Sequence, residues 1–220
     1  KIARKNLQNA KDLFNSVLNE TFSFPVSSHL AGEGKGIRTD RTSASKSHWK
    51  LKKFEDCINN VIYPVKVQKK DFLHVGKFPI ISQENGFING YSNDAKKLFR
   101  IEKPVIIFGD HTRIFKYVDF DFILGADGVK IIKPKEIVNT KFLYYYLMGS
   151  PLKSLGYARH YKELKEINVY YPNDILEQKR IVSKLDELSA ETKKLEIIYQ
   201  KKIDDLAELK KSVLKQTFDC

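Results

Sequence analysis

Stepping from Ile181 by alternating intervals of four and three residues lines up Ile181, Leu185, Leu188, Thr192, Leu195, Tyr199, Lys202, Leu206, Leu209 and Val213, and eight of these ten are apolar. The residues between them are mostly Lys, Glu, Asp and Gln, and no Gly or Pro follows Asn173. This pattern predicts one continuous helix over 177–220 with a heptad seam. Its stretch Glu177–Phe218, forty-two residues, gives a rod of about 63 Å at helical rise. Such a rod cannot bury its seam against itself, so it needs a helix to pair with. The pairing positions are Leu185, Leu188, Leu195, Tyr199, Leu206, Leu209 and Val213, while Thr192 and Lys202 serve register rather than stability.

The other end of the chain repeats part of this rod. Residues 1–22 are predicted helical, with Leu7, Ala10, Leu13, Val17 and Leu18 on one face, and Phe24-Pro25 ends the helix. Leu7–Phe22 aligns without gaps on Ile203–Phe218, with six of sixteen positions identical: Leu13/Leu209, Ser16/Ser212, Val17/Val213, Leu18/Leu214, Thr21/Thr217 and Phe22/Phe218. The chain is therefore expected to be one period of a two-period protein. Its only Met is Met148, so residue 1 is not expected to be a natural start. If the two helices run antiparallel, the first covers roughly half of the rod, and the seam from Tyr199 to Val213 stays bare. A second copy of the chain could cover it, giving a homodimer.

Between the helices the periodicity changes. Residues 23–47, with Gly32, Gly34, Gly36 and several Ser, predict a linker. From 48 to 176 short apolar runs alternate with turn signals: Phe78–Ile81, Val105–Phe108, Ile114–Val118, Val129–Ile132 and Ile167–Tyr171 read as strands, and Asn85–Tyr91 as a turn-rich piece. Trp49, Leu51 and Phe54 are expected to open the core, Asp56–Asn60 to form a helical turn, and Thr140 to cap a helix through Met148. The fold class is α/β (α+β): a mixed-sheet domain followed by a long coiled-coil helix, with a short N-terminal helix pairing with it.

Composition adds mainly charge. The chain has 220 residues and a net charge of +12, of which residues 1–22 carry +2, 23–176 carry +9 and 177–220 carry +1. The excess sits on the middle domain, which suits a polyanion, while the rod is nearly balanced. Cys57 and Cys220 form neither a CxxC pair nor a ligand cluster, so a reducing cytoplasm is the expected setting. No apolar run approaches membrane-spanning length.

The order of motifs resembles the specificity subunit of type I restriction-modification systems, as one target-recognition domain with its following helix. The residues that carry this are Trp49–Asp56, Gly76–Ile81 with Gly90-Tyr91, Val105–Gly109, Gly125–Gly128, Thr140–Leu147 and above all Leu176-Glu-Gln-Lys-Arg-Ile-Val-Ser-Lys-Leu-Asp-Glu-Leu188. Leu206–Phe218 matches the family's closing helical pattern. Tyr170-Tyr-Pro-Asn-Asp-Ile-Leu176 departs from the family's Pro-rich lead into that signature, and one recognition domain stands where the full subunit has two. The resemblance implies a non-catalytic reader of double-stranded DNA. Its partners would be modification (methyltransferase) subunits and a restriction subunit, and no cofactor or metal is expected. Two alternatives stay open: a coiled-coil adaptor, and the recognition domain of a fused restriction enzyme-methyltransferase.

For DNA contact, two polar clusters stand out: Asp110 with His111, Thr112 and Arg113, and Arg159, His160, Tyr161 and Lys162. Gln83 and Asn85 lie in a third loop. Arg and Lys serve phosphates and guanine edges, whereas Asn and Gln pair with adenine. Turn formation is the favoured role for Asp110. A metal-dependent nuclease of the Asp…Glu-x-Lys type would need that triplet on a strand after Asp110, and Val129-Lys130 offers no acid before its Lys; a methyltransferase would need a Gly-rich cofactor loop and a target-amine motif. Neither pattern is present, so no catalytic residue is assigned.

Overall fold

The computed structural model describes residues 2–23, 48–150, 152 and 159–218. Most of the expected 23–47 linker, residues 156–158 and Cys220 lie outside these. Tertiary contacts divide the chain into two compact units, 24–180 and 1–23 with 181–220.

The larger unit is built around β6 (Val105–Gly109), whose five residues are all buried. Such an uninterrupted apolar run suits a strand covered on both faces. β6 lies between β7 (Phe115–Val118) and β9 (Val129–Pro134) in an antiparallel sheet of order β2-β9-β6-β7, where β2 is Ile58–Asn59. A second sheet, β4-β3-β8-β5, is formed by β3 (Phe78–Ile81), β4 (Gly90–Ser92), β5 (Leu98–Phe99) and β8 (Phe122–Leu124), and β3 runs parallel to β8. Ile81, Val105, Ile107, Val118, Phe122, Leu124, Val129 and Ile131 form the core cluster that joins the two sheets. By strand alternation Ile106 and Phe108 point to the other face, where α2 (Thr140–Gly149) packs. β1 (Trp49–Lys53) pairs antiparallel with β10 (Asn168–Pro172), and Trp49 meets both Phe142 of α2 and Tyr170.

Several local expectations need correction. Leu51 is 53% exposed, in a strand whose residues after Trp49 are all exposed, whereas Phe54 is fully buried. The expected helical turn at Asp56–Asn60 is a 3-10 turn at Phe54–Cys57 followed directly by β2. Thr140 does not cap α2: the Asn139 side chain accepts from the N–H groups of Lys141 and Phe142, both at 3.0 Å. Residues after His160 form a short helix, α3 (Tyr161–Glu166), rather than a loop.

In the smaller unit, α1 (Ile2–Phe22) buries Ala3, Ala10, Leu18 and Phe22. Leu13, expected on that face, is 47% exposed. α4 (Ile175–Phe218) starts two residues earlier than expected, because Asp174 Oδ1 accepts from the Leu176 N–H at 2.9 Å and caps it. Leu185 and Thr192 are buried on α4, and the start of α1 meets Tyr199, Lys202 and Leu206 through Ile2, Ala3 and Asn6. Every α4 residue from 204 to 218 is exposed. This burial pattern runs the helices antiparallel and leaves Leu209 and Val213 uncovered by α1, whereas Tyr199 and the half-exposed Leu206, expected bare, border its start. The Thr192 hydroxyl donates to the Leu188 and Ser189 carbonyls, so this buried polar layer is satisfied within its own helix. No helix among the described residues is long and apolar enough to cross a membrane.

Candidate nucleic-acid interface

β6 and β7 are joined by a tight turn in which Gly109 N–H donates to Ile114 O and Arg113 N–H to Gly109 O. Arg113 has φ 59°, the left-handed conformation that closes the turn. The turn is fastened sideways to the β3–β4 loop: Thr112 Oγ1 donates to Gln83 O at 2.8 Å, and the His111 N–H to Gln83 Oε1 at 3.3 Å. Glycines make this approach possible. A Cβ on Gly109 would collide with Thr112 Oγ1 and Gln83 Cβ. One on Gly128, at φ +67°, would lie 2.6 Å from His111 Cδ2 and 2.9 Å from Gln83 Oε1.

Asp110 ties the turn to two further segments. Its N–H donates to Gly128 O at 2.6 Å, on the turn before β9. Its carbonyl accepts from the His160 N–H at 2.9 Å and lies 3.0 Å from His160 Nδ1. Its carboxylate Oδ1 accepts from the Tyr161 N–H at 2.7 Å. His160 supplies no side-chain cap to α3, so Asp110, distant in sequence, caps that helix with a charge matched to the helix dipole. Asp110 is 3% exposed and His160 is fully buried.

The three sequence clusters are thus one site. Asn85, Thr112, Arg113, Arg159 and Lys162 are exposed around it, while Gln83, His111 and Tyr161 are half-buried. His160, expected to contact DNA, has no surface to offer and instead holds Asp110. Arg113 Nη1 reaches Leu152 O at 3.4 Å. Beneath lies a group of lysines that no sequence motif marked. Lys130 Nζ sits 5.3 Å and Lys165 Nζ 6.0 Å from the Tyr161 ring centroid, and Lys66 Nζ donates to Val129 O. Burial, then Lys130, pulls the Lys66 ammonium down from its ordinary range, against Asp127 and Asp110. Burial, aided by Tyr63, Glu55 and Asp110, pushes the Tyr161 phenol up to about 12, so it stays neutral. The arrangement is a rigid rim of amide, hydroxyl and guanidinium groups with cations behind it, which suits contact with phosphates and base edges.

The signature before the rod has its own place in this unit. Gln178 is fully buried; its Oε1 accepts from the Asn139 N–H at 2.7 Å, and its Nε2 donates to Ile137 O at 3.0 Å and Pro172 O at 2.8 Å. It joins the first turn of α4 to the start of α2 and the end of β10. Glu177 and Arg180 form an ion pair beside it, at 2.7 and 2.8 Å.

The family model described as "Type I restriction modification DNA specificity domain" matches residues 46–203. The type I restriction enzyme EcoR124I/EcoR124II specificity subunit of Escherichia coli is 34% identical over 88 residues, covering 39% of this chain and 22% of that protein. A chain from a structure of a type I R-M system, on its complex assembly and conformational transition, superposes with TM-score 0.69 at 16% identity over 99% of this chain and 53% of its own. The HsdS subunit of Thermoanaerobacter tengcongensis gives TM-score 0.58 at 14% identity over 99% and 52%, respectively. The type I S subunit of M. genitalium gives 0.51 at 19% identity over 91% and 56%. The chain spans about half the length of these solved relatives, and the likeness shows that it shares their mixed α/β fold with a long helix.

Proposed function

Because the chain belongs to the family of type I restriction-modification DNA specificity domains, we propose that it is a sequence-specific DNA-recognition subunit, or half of one, without catalytic activity of its own. In this reading residues 48–176 form the recognition domain, 177–220 the conserved helix, 1–22 the end of a preceding helix, and 23–47 a tether between them. Methyl transfer and cleavage belong to modification and restriction subunits that the chain positions on DNA in the cytoplasm.

The observation that carries the proposal is the fastening of three polar loops to one another at one end of the sheets. An adaptor working through helices alone has no need of it. Asn85, Thr112, Arg113, Arg159 and Lys162 are the residues left to face DNA; Gln83, His111, His160 and the backbone of Tyr161 hold them there. Asp110 is committed to the Tyr161 and Gly128 backbone, which supports a structural rather than a nuclease role for it.

The test uses the assembled methyltransferase complex. Arg159→Ala and Lys162→Ala should each weaken duplex binding, and each lost phosphate contact should flatten the salt dependence by roughly one unit of slope. Binding and slope unchanged in both variants would remove this rim from the DNA surface.

A further inference from the structure

The loop between β3 and β4, residues 82–89, exposes everything from Glu84 to Ile88 and carries Gln83 and Asn85. Its shape is set from beneath by a residue of another strand. Lys116 of β7 is 4% exposed, and its Nζ donates to Ser82 O at 2.7 Å, to Gly86 O, and to Asn89 Oδ1 at 3.0 Å. Asn89 Oδ1 also accepts from the Ser82 N–H and the Ser82 hydroxyl, both at 2.9 Å, and Asn89 Nδ2 donates to Gly86 O at 2.9 Å. All three ammonium donors are therefore directed at the two ends and the middle of one loop.

An ammonium is a poor choice for a buried strand position if stability alone is at stake. Desolvating it is unfavourable, and an apolar side chain pairing with Ile107 across the ladder would serve the sheet better. What the lysine adds is a fixed conformation for a loop with little regular structure of its own. Buried as it is, Lys116 presents no charge to a phosphate.

We propose that Lys116 is a positioning residue for base selection: it holds the 82–89 loop in the shape that presents Asn85, with Asn89 as the hub of the network. This rests on the DNA-reading role proposed above. Its consequence is separable from that of a surface cation. Loss of Lys116 should reduce discrimination between sequences and leave the number of neutralised phosphates unchanged.

The experiment compares unmodified and Lys116→Met chains in the assembled methyltransferase complex. The probes are a duplex selected from a random pool by the unmodified complex and a scrambled duplex of equal length. The expected result is a fall in the target-to-scrambled affinity ratio of at least about tenfold, the discrimination carried by roughly one base contact, with the salt slope unaltered. A generally weakened fold would lower both affinities together and leave the ratio alone, which would overturn the proposal. A slope flattened by about one unit would also overturn it, by making Lys116 a phosphate contact. Should Lys116→Met not fold, Asn89→Ala keeps the lysine, removes the hub and must lower the ratio in the same way. If the unmodified complex itself selects no sequence, the DNA-reading role fails, and that failure appears before any variant is made.

Discussion

Asp110 illustrates how a single side chain can be misplaced by its neighbours in sequence. An Asp after a strand and a Gly is an ordinary turn former, yet here its carboxylate is buried and caps a helix that follows fifty residues later. Asp110→Ala should leave the Tyr161 N–H without its partner and cost about 2 kcal/mol, the scale of a buried charge-assisted cap, whereas Asp110→Asn, which keeps an acceptor, should cost less. Urea denaturation gives both values, and amide exchange should quicken first at residues 160–164. Lys116 supplies a second residue-scale prediction, of stability against pH. Burial holds it down to about 8, from an ordinary 10.5, so between those values the unfolded chain binds more protons than the folded one. Stability from this group therefore rises with pH across that window, by up to about 1.4 kcal/mol per unit, and is flat below it. The three acceptors favour the charged form and soften the slope. Measured as the difference between the unmodified protein and Lys116→Met, the gain should begin near pH 8; a difference that falls with pH would contradict it. Neither role was legible in sequence, because both rest on contacts between segments far apart in the chain. The sequence marked the three polar clusters separately, and only the fold shows that they meet.

Among the elements, legibility followed length and alternation. β3, β6 and β9 stood out as apolar runs bounded by turn residues, whereas β5, with two residues, and β8, with three, are too short to show a period. α3 escaped because its cap comes from Asp110 rather than from a local Ser, Thr, Asp or Asn. The reverse held for the Glu-Gln-Lys-Arg signature, which was visible at once but had no evident reason. Its reason is Gln178, whose amide satisfies one buried N–H and two carbonyls at the junction of α2, β10 and α4. The Glu177–Arg180 pair beside it is exposed and contributes little. Gln178→Ala should thus destabilise by about 2–4 kcal/mol. Gln178→Glu, which turns a donor into an acceptor facing two carbonyls, should cost more. Thermal or urea unfolding would rank the two, and a Glu variant as stable as the parent would show that the Gln178 network adds no stability to the 24–180 unit.

At the scale of the whole molecule, the division of charge separates a basic middle from nearly neutral helices, and association falls to the helices. The repeated motif makes the point: Leu18 and Phe22 of α1 are 1% and 8% exposed, while their counterparts Leu214 and Phe218 on α4 are 45% and 77% exposed. With Leu206, Leu209 and Val213 at 51%, 59% and 51%, they form an apolar stripe of the kind that a second helix covers. The magnitudes decide how firmly. Covering half-exposed side chains of this size yields about 1 kcal/mol each, so five residues on each of two copies give roughly 10 kcal/mol gross. Association itself costs about 4–15 kcal/mol. At the low end of that cost the net is about 6 kcal/mol, a dissociation constant of tens of micromolar, so the homodimer predicted is weak and concentration-dependent. Leu206→Asp with Leu209→Asp should abolish it and leave the recognition unit folded, since neither residue belongs to that unit. Light scattering across a concentration series reads both statements, and an unmodified chain that stays monomeric throughout would remove the dimer while leaving the α1–α4 pairing intact.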